Sequence, residues 1–197
     1  MDSRLIAWAR AVKRRRLRAN ADACPPPLWF FTDEARLPDP LPVIRRLPVG
    51  LCGVVFRHDS HPGRAALAKA AARICRARGG ALIIAGDRRL AAALGAGLHL
   101  RGGQGRVGGW GGLLSASVHD SAQLTRARRA GVGLVFISPV FPTVSHPGAP
   151  VLGASGWLRL ARQAGGVKSY ALGGVSGRRV RALGPLCAGI GAIDAFL

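Results

Sequence analysis

Five histidines, nine carboxylates and four cysteines are the side chains here that can move protons, hold a metal or act as nucleophiles. The acids are Asp2, Asp22, Asp33, Glu34, Asp39, Asp59, Asp87, Asp120 and Asp194; the histidines are His58, His61, His99, His119 and His146. Several follow short apolar runs directly, as Asp33-Glu34, Arg57-His58-Asp59, Asp87 and His119-Asp120 do. An imidazole titrates near neutrality, so a histidine at such a place suits proton transfer. An Asp ahead of a helical run also caps it, and Asp120 before Ser121 has that pattern. Cys24, Cys52, Cys75 and Cys187 have neither metal-ligand nor disulfide-framework spacing. They read as buried thiols of a reducing, cytoplasmic compartment.

Two other segments carry chemistry. Gly173-Gly174 ends an apolar run and precedes a helix start at Ser176. Bare backbone there lets amides approach a phosphate, and a tight turn with positive φ asks for the same residues. Residues 138–150 read SPVFPTVSHPGAP, too apolar and proline-stiffened for an ordinary solvated loop. They offer Thr143, Ser145 and His146 to a charged ligand.

These groups need a frame. Apolar runs at 28–32, 53–57, 81–85, 97–100, 113–118, 133–138, 169–172 and 189–193 are nearly continuous, as in parallel strands buried on both faces. Ala/Arg/Leu-rich helical stretches at 41–47, 64–78, 88–94, 121–130, 156–164 and 177–183 alternate with them, while the Gly-rich residues 101–112 give at most a weak helix. The alternation predicts a compact (β/α)8 TIM barrel over residues 28–197, with an open α/β sheet as the alternative. In that fold the reactive groups gather at the C-terminal strand ends.

Residues 1–27 stand apart. They predict a basic amphipathic helix with Leu5, Trp8, Ala9 and Val12 on one face, followed by a Pro25–Pro27 break. The last strand ends near Asp194 with no eighth helix after it, so the N-terminal helix is expected to fill the vacant groove beside strands 8 and 1. The segment lacks the apolar core and cleavage site of a secretory signal.

The net charge is +20, with 29 basic residues against nine acids, and hydrophobic residues make up 49% of the chain. That hydrophobic content excludes a disordered chain. No apolar run is long enough for a transmembrane helix. All but three of the cations are arginine. Arg4, Arg10, Lys13, Arg14, Arg15, Arg16 and Arg18 crowd the N-terminal helix, which makes an anionic surface or nucleic acid a further candidate partner. Aromatic residues for base stacking are missing from it apart from Trp8, so nucleic acid is disfavoured.

The loop at 138–150 resembles the GPVFxTxTKPxAP loop of thiamine phosphate synthase and its relative, the thiazole tautomerase TenI. Ser117-Val118-His119 resembles the family's SVH, Ala171-Leu172-Gly173-Gly174-Val175 its AIGGI, and Gly97-Leu98-His99-Leu100 its GVHL. The opening of residues 28–33 is similar to LYLVTD, and the resemblance runs in consistent order over residues 28–196. It implies a (β/α)8 barrel and a thiazole phosphate or thiamine phosphate as small-molecule partner, and it leaves a homo-oligomer open.

The synthase of this family joins an aminopyrimidine diphosphate to a thiazole phosphate with Mg²⁺. Here the family's QxRxK falls on Val55, Arg57 and Asp59, so only Arg57 matches. Its two metal-binding aspartates fall on Arg89 and Gln104; a one-residue shift would pair Asp87 with the Asp of the family's NDR instead. The loop Lys becomes His146, and a Ser near the end of strand 8 becomes Asp194. Losing carboxylates removes the hard oxygen ligands Mg²⁺ prefers, so no metal residue is assigned and Mg²⁺ is expected only if the chain is a synthase. The balance favours the tautomerase branch. There the resemblance implies that His119 shuttles the proton that aromatises the thiazole, while Arg57, Ser117, Thr143, Ser145, His146, Gly173 and Gly174 bind substrate. The alternatives are a genuine Mg²⁺-dependent synthase and a non-catalytic binder of these phosphates.

Overall fold

The computed structural model describes residues 2–18, 24–101, 107–143 and 148–197. Eight parallel strands close into a barrel in chain order: β1 (Leu28–Phe31), β2 (Cys52–Phe56), β3 (Ala81–Ala85), β4 (Gly97–Leu100), β5 (Leu114–Val118), β6 (Leu134–Ile137), β7 (Lys168–Leu172) and β8 (Gly189–Ala192). β8 returns to β1 with Leu28 opposite Ile190, so the sheet has no free edge.

Alternate residues face the barrel axis. Trp29, Phe31, Val55, Ile83, Leu134, Phe136 and Tyr170 fill it. Phe31 and Phe136 meet edge to face at 4.7 Å. Two glycines make room for the largest rings. Gly53 is paired with Trp29 and Gly189 with Tyr170, and a Cβ on either would run into the facing ring.

The outer layer consists of α1 (Ser3–Arg18), α2 (Leu41–Arg46), α3 (Arg64–Ala77), α4 (Arg88–Leu94), α5 (Ser121–Arg129), α6 (Gly153–Gln163) and a 3-10 turn at Val180–Leu183. Asp87 and Asp120 cap α4 and α5 by accepting from Leu90 N and Gln123 N at 2.9 and 2.7 Å.

α1 takes the eighth outer position, as its apolar stripe requires. Leu5, Ala9 and Val12 are at most 2% exposed, and Leu5 and Ala9 join the same core as Leu28 and Ile190. Asp2, at its start, accepts from Gly177 N beyond the upper end of β7 at 2.7 Å. At the other end Lys13 Nζ donates to Gly50 O below β2, and Arg16 Nη1 donates to Pro25 O below β1. The helix therefore runs down the barrel between β8 and β1, antiparallel to the strands.

Two stretches differ from the expected elements. The helix foreseen at 177–183 contracts to the 3-10 turn, in which Ala182 N closes onto Arg179 O at 3.1 Å and Gly184 N onto Arg181 O at 3.3 Å. Among the described residues, 107–112 form no helix after β4. Cys52, Cys75 and Cys187 are buried as expected, whereas Cys24 is only half-buried in the stretch leading to β1.

Candidate functional site

A cavity of about 940 Å³ opens at the upper strand ends, with Thr32, Arg57, His99, Arg101, Ser117 and His119 in its wall. β1, β2, β4 and β5 deliver these side chains, each at the last inward position of its strand or just beyond it.

His99 forms the floor. Its ring nitrogens lie 2.9 Å from Ser115 Oγ and 3.1 Å from Ser117 Oγ. A neutral imidazole has one N–H and one lone pair, so one serine accepts and the other donates. Phe31 stands edge-on against the ring at 5.9 Å. Burial, followed by the charges of Arg57 and Arg101, pushes its pKa down to about 3. His99 is therefore a neutral, fixed group at any pH near 7.

Arg57 leans over the mouth. Its Nε donates to Thr32 O at 2.9 Å, and its guanidinium sits 5.4 Å above the Phe31 ring. Burial draws its pKa below the ordinary guanidinium value, while Asp33 and Asp59 push the other way. Thr32 Oγ1 accepts from Arg57 N at 2.8 Å and donates to His58 Nδ1 at 3.0 Å. The Nε2–H of His58 then donates to Leu37 O at 3.0 Å. Fully buried, His58 is a strut for the loop after β1.

His119 follows β5 at the exposed rim. Its Nδ1–H donates to Ser138 O at 2.7 Å, and its backbone N–H donates to Gln123 Oε1 at 3.1 Å. The carbonyl fixes the tautomer and leaves the Nε2 lone pair as the proton acceptor.

The other expected binding residues lie elsewhere. The chain after β6 lies on the loop after β7: Val140 N donates to Leu172 O and Phe141 N to Gly173 O, at 3.0 and 3.1 Å. Gly173 and Gly174 have φ of 91° and 62°, and a Cβ on Gly174 would meet the backbone oxygens of Phe141 and Pro142. Close backbone approach alone thus demands glycine there. Thr143, Gly173 and Gly174 are not part of the cavity wall among the described residues. Ser145, His146 and Gln104 lie outside the described residues.

The carboxylates at the rim are engaged. Asp59 faces Arg64 at 3.2 Å and also pairs with Arg101. Asp87 accepts from Leu90 N and pairs with Arg64 at 3.2 Å. Asp33 neighbours Arg57 at 3.7 Å, and Glu34 accepts from Ser60 N at 3.1 Å. Asp194 turns to Arg36 at 2.9 Å, which neutralises the charge placed near the end of β8. Arg89 is exposed on α4. Among the described residues no three His, Cys, Asp or Glu side chains converge on one point. Mg²⁺ needs near-octahedral oxygen ligation, and oxygens already held by N–H and guanidinium donors do not fit it.

Sequence reasoning placed His119, Ser117 and Arg57 in one site, and the cavity holds all three. It missed the roles of Arg64 and Arg101. His99 carries a readable signal, being two residues beyond the inward Gly97; Arg64 carries none.

Residues 43–194 match the family model described as thiamine monophosphate synthase, TMP-TENI. The fold is similar to thiamine phosphate pyrophosphorylase from Pyrococcus furiosus, with a TM-score of 0.73, 22% identity and 85% of each chain covered. It is also similar to thiamine phosphate pyrophosphorylase from Bacteroides thetaiotaomicron, with a TM-score of 0.54 and 17% identity over 86% of this chain and 83% of that one. At these identities the likeness speaks for the fold. No curated protein matches the chain.

Proposed function

The chain belongs to the thiamine monophosphate synthase family, TMP-TENI, and from that membership we propose that it binds a thiazole phosphate and transfers the proton that makes the thiazole ring aromatic. The observation that carries the reading is His119, a residue of the cavity wall held through Nδ1 by Ser138 O at 2.7 Å.

In this reading Nε2 takes a proton from one carbon of the non-aromatic tautomer and returns it to another as the double bonds move into the ring. No atom is gained or lost, and no metal takes part. Ser138 O stabilises the imidazolium that forms between the two transfers. Arg57 offers a guanidinium to the anionic ligand, and His99 presents a neutral floor that does not compete for the proton. Thr143, Ser145, His146, Gly173 and Gly174 remain proposed phosphate contacts on the strength of the family resemblance. The closed rim carboxylates favour proton transfer over diphosphate displacement.

His119→Asn keeps a side chain that can bond Ser138 O and lacks the base. We expect turnover of the non-aromatic thiazole phosphate to fall by about 10²-fold or more, with its dissociation constant unchanged by calorimetry. Unaltered turnover in that variant sinks the assignment. Because the matching family is described as a synthase, pyrophosphate release from an aminopyrimidine diphosphate and a thiazole phosphate is the competing assay. Release that requires Mg²⁺ replaces the tautomerase reading, and saturable binding without either turnover makes the chain a binder.

A further inference from the structure

Arg64 is an unfavourable first residue for a helix. α3 begins with it and has no acid in its first turn, so a cation sits at the positive end of the helix dipole. Helix stability argues against that placement, and what offsets it lies outside the helix. Arg64 Nη2 donates to Ala85 O, the last carbonyl of β3, at 2.7 Å. The same nitrogen faces Asp59 Oδ1 at 3.2 Å, and Nη1 faces Asp87 Oδ2 at 3.2 Å. One guanidinium therefore spans a carboxylate beyond β2, a carboxylate beyond β3 and the carbonyl between them. Its side chain is 19% exposed, so solvent screens the cluster only in part.

The remaining carboxylate oxygens are also taken. Asp59 Oδ2 bonds to Arg101, and Asp87 Oδ1 accepts from Leu90 N at 2.9 Å. Gly86, with φ of 71°, lets Arg101 cross the end of β3: a Cβ there would lie 2.8 Å from Arg101 Nε. The cluster is thus held by backbone as well as by charge.

We infer that Arg64 is the resident cation of this rim, holding Asp59 and Asp87 in place of a divalent metal ion and closing the site to one. A guanidinium donates five N–H bonds in a fixed plane and stays charged at all relevant pH, so it satisfies two carboxylates and a carbonyl at once. A metal would have to displace it and leave a desolvated arginine behind. The inference goes beyond proton transfer by His119, since it concerns the β2–β3 side of the mouth and is read by cation binding.

The probe is Mn²⁺ alone, followed by electron paramagnetic resonance and calorimetry on the full chain. The wild-type protein is expected to leave Mn²⁺ free up to about millimolar concentration. Arg64→Ala releases Asp59 and Asp87, and its Mn²⁺ affinity should rise about tenfold or more. Arg64→Lys keeps a positive charge between the carboxylates and should stay as closed as the wild type, which separates the effect of the cation from loss of folding. A stoichiometric Mn²⁺ site in the wild type overturns the inference. So does an Arg64→Ala protein that folds, by circular dichroism, and binds Mn²⁺ no better. Loss of turnover in His119→Asn bears on neither result.

Discussion

At the scale of single residues, the cavity wall holds two histidines in opposite surroundings. His99 is enclosed by Phe31, Phe136 and two serines, so the charged form is excluded. His119 stands at the rim with one nitrogen committed and one open. The enclosed one sets a dependence of stability on pH. Unfolded, its imidazole takes a proton as pH falls below about 6.5; folded, it resists down to about 3. Between these values the unfolded chain binds more protons, so stability declines as pH drops through that window. Urea midpoints measured from neutral down to about pH 4 should fall more steeply for the wild type than for His99→Gln, which cannot be protonated. Equal slopes in the two proteins would remove His99 as the cause. Burial also pushes Cys52, Cys75 and Cys187 up to about 12, 11 and 12, so these thiols are poor nucleophiles near neutrality.

At the scale of elements, α1 buries an apolar stripe beneath a basic face. Leu5 is fully buried against the core, while Arg10 and Arg14 lie on the exposed face of the same helix. Leu5→Ala should cost about 2–5 kcal/mol, whereas Arg14→Ala should stay within about 0.5 kcal/mol; denaturant titration of both variants measures the contrast. The strands were readable from sequence because strands buried on both faces become continuous apolar runs, as LWFF and LVFI do. α1 was readable because its apolar residues recur at helical spacing. The cavity wall was readable only where a residue sits at a strand end, as Arg57, Ser117 and His119 do. The tie through Arg64 was not, because it depends on where α3 starts relative to β3, which no local pattern encodes. The glycine pair after β7 was read as a phosphate loop, and the packing of Pro139 against Gly173 and of Phe141 and Pro142 against Gly174 supplies a second reason for both glycines.

For the whole molecule, a charge of +20 on 197 residues is a repulsive load carried by the outer helices. The rim is the exception, since Asp33, Asp59, Asp87 and Asp194 are each held beside an arginine. Six of the exposed cations, Arg4, Arg10, Lys13, Arg14, Arg15 and Arg18, stand on α1, whose other face is docked against the core. Screening should therefore stabilise the folded state: the thermal midpoint should rise when salt goes from about 0.01 M to about 0.15 M. A fall would mean that the rim ion pairs outweigh the general repulsion. The position of α1 between β8 and β1 also has a consequence for synthesis on the ribosome. The helix emerges before every strand, yet β8, which completes its berth, emerges more than a hundred residues later. Its apolar stripe must wait uncovered until β8 is made, and closure of the barrel joins β1 to the strand farthest from it in sequence. Contacts of such long sequence separation are slow to form, so the nascent protein is expected to remain a client for chaperones until its final strand is free.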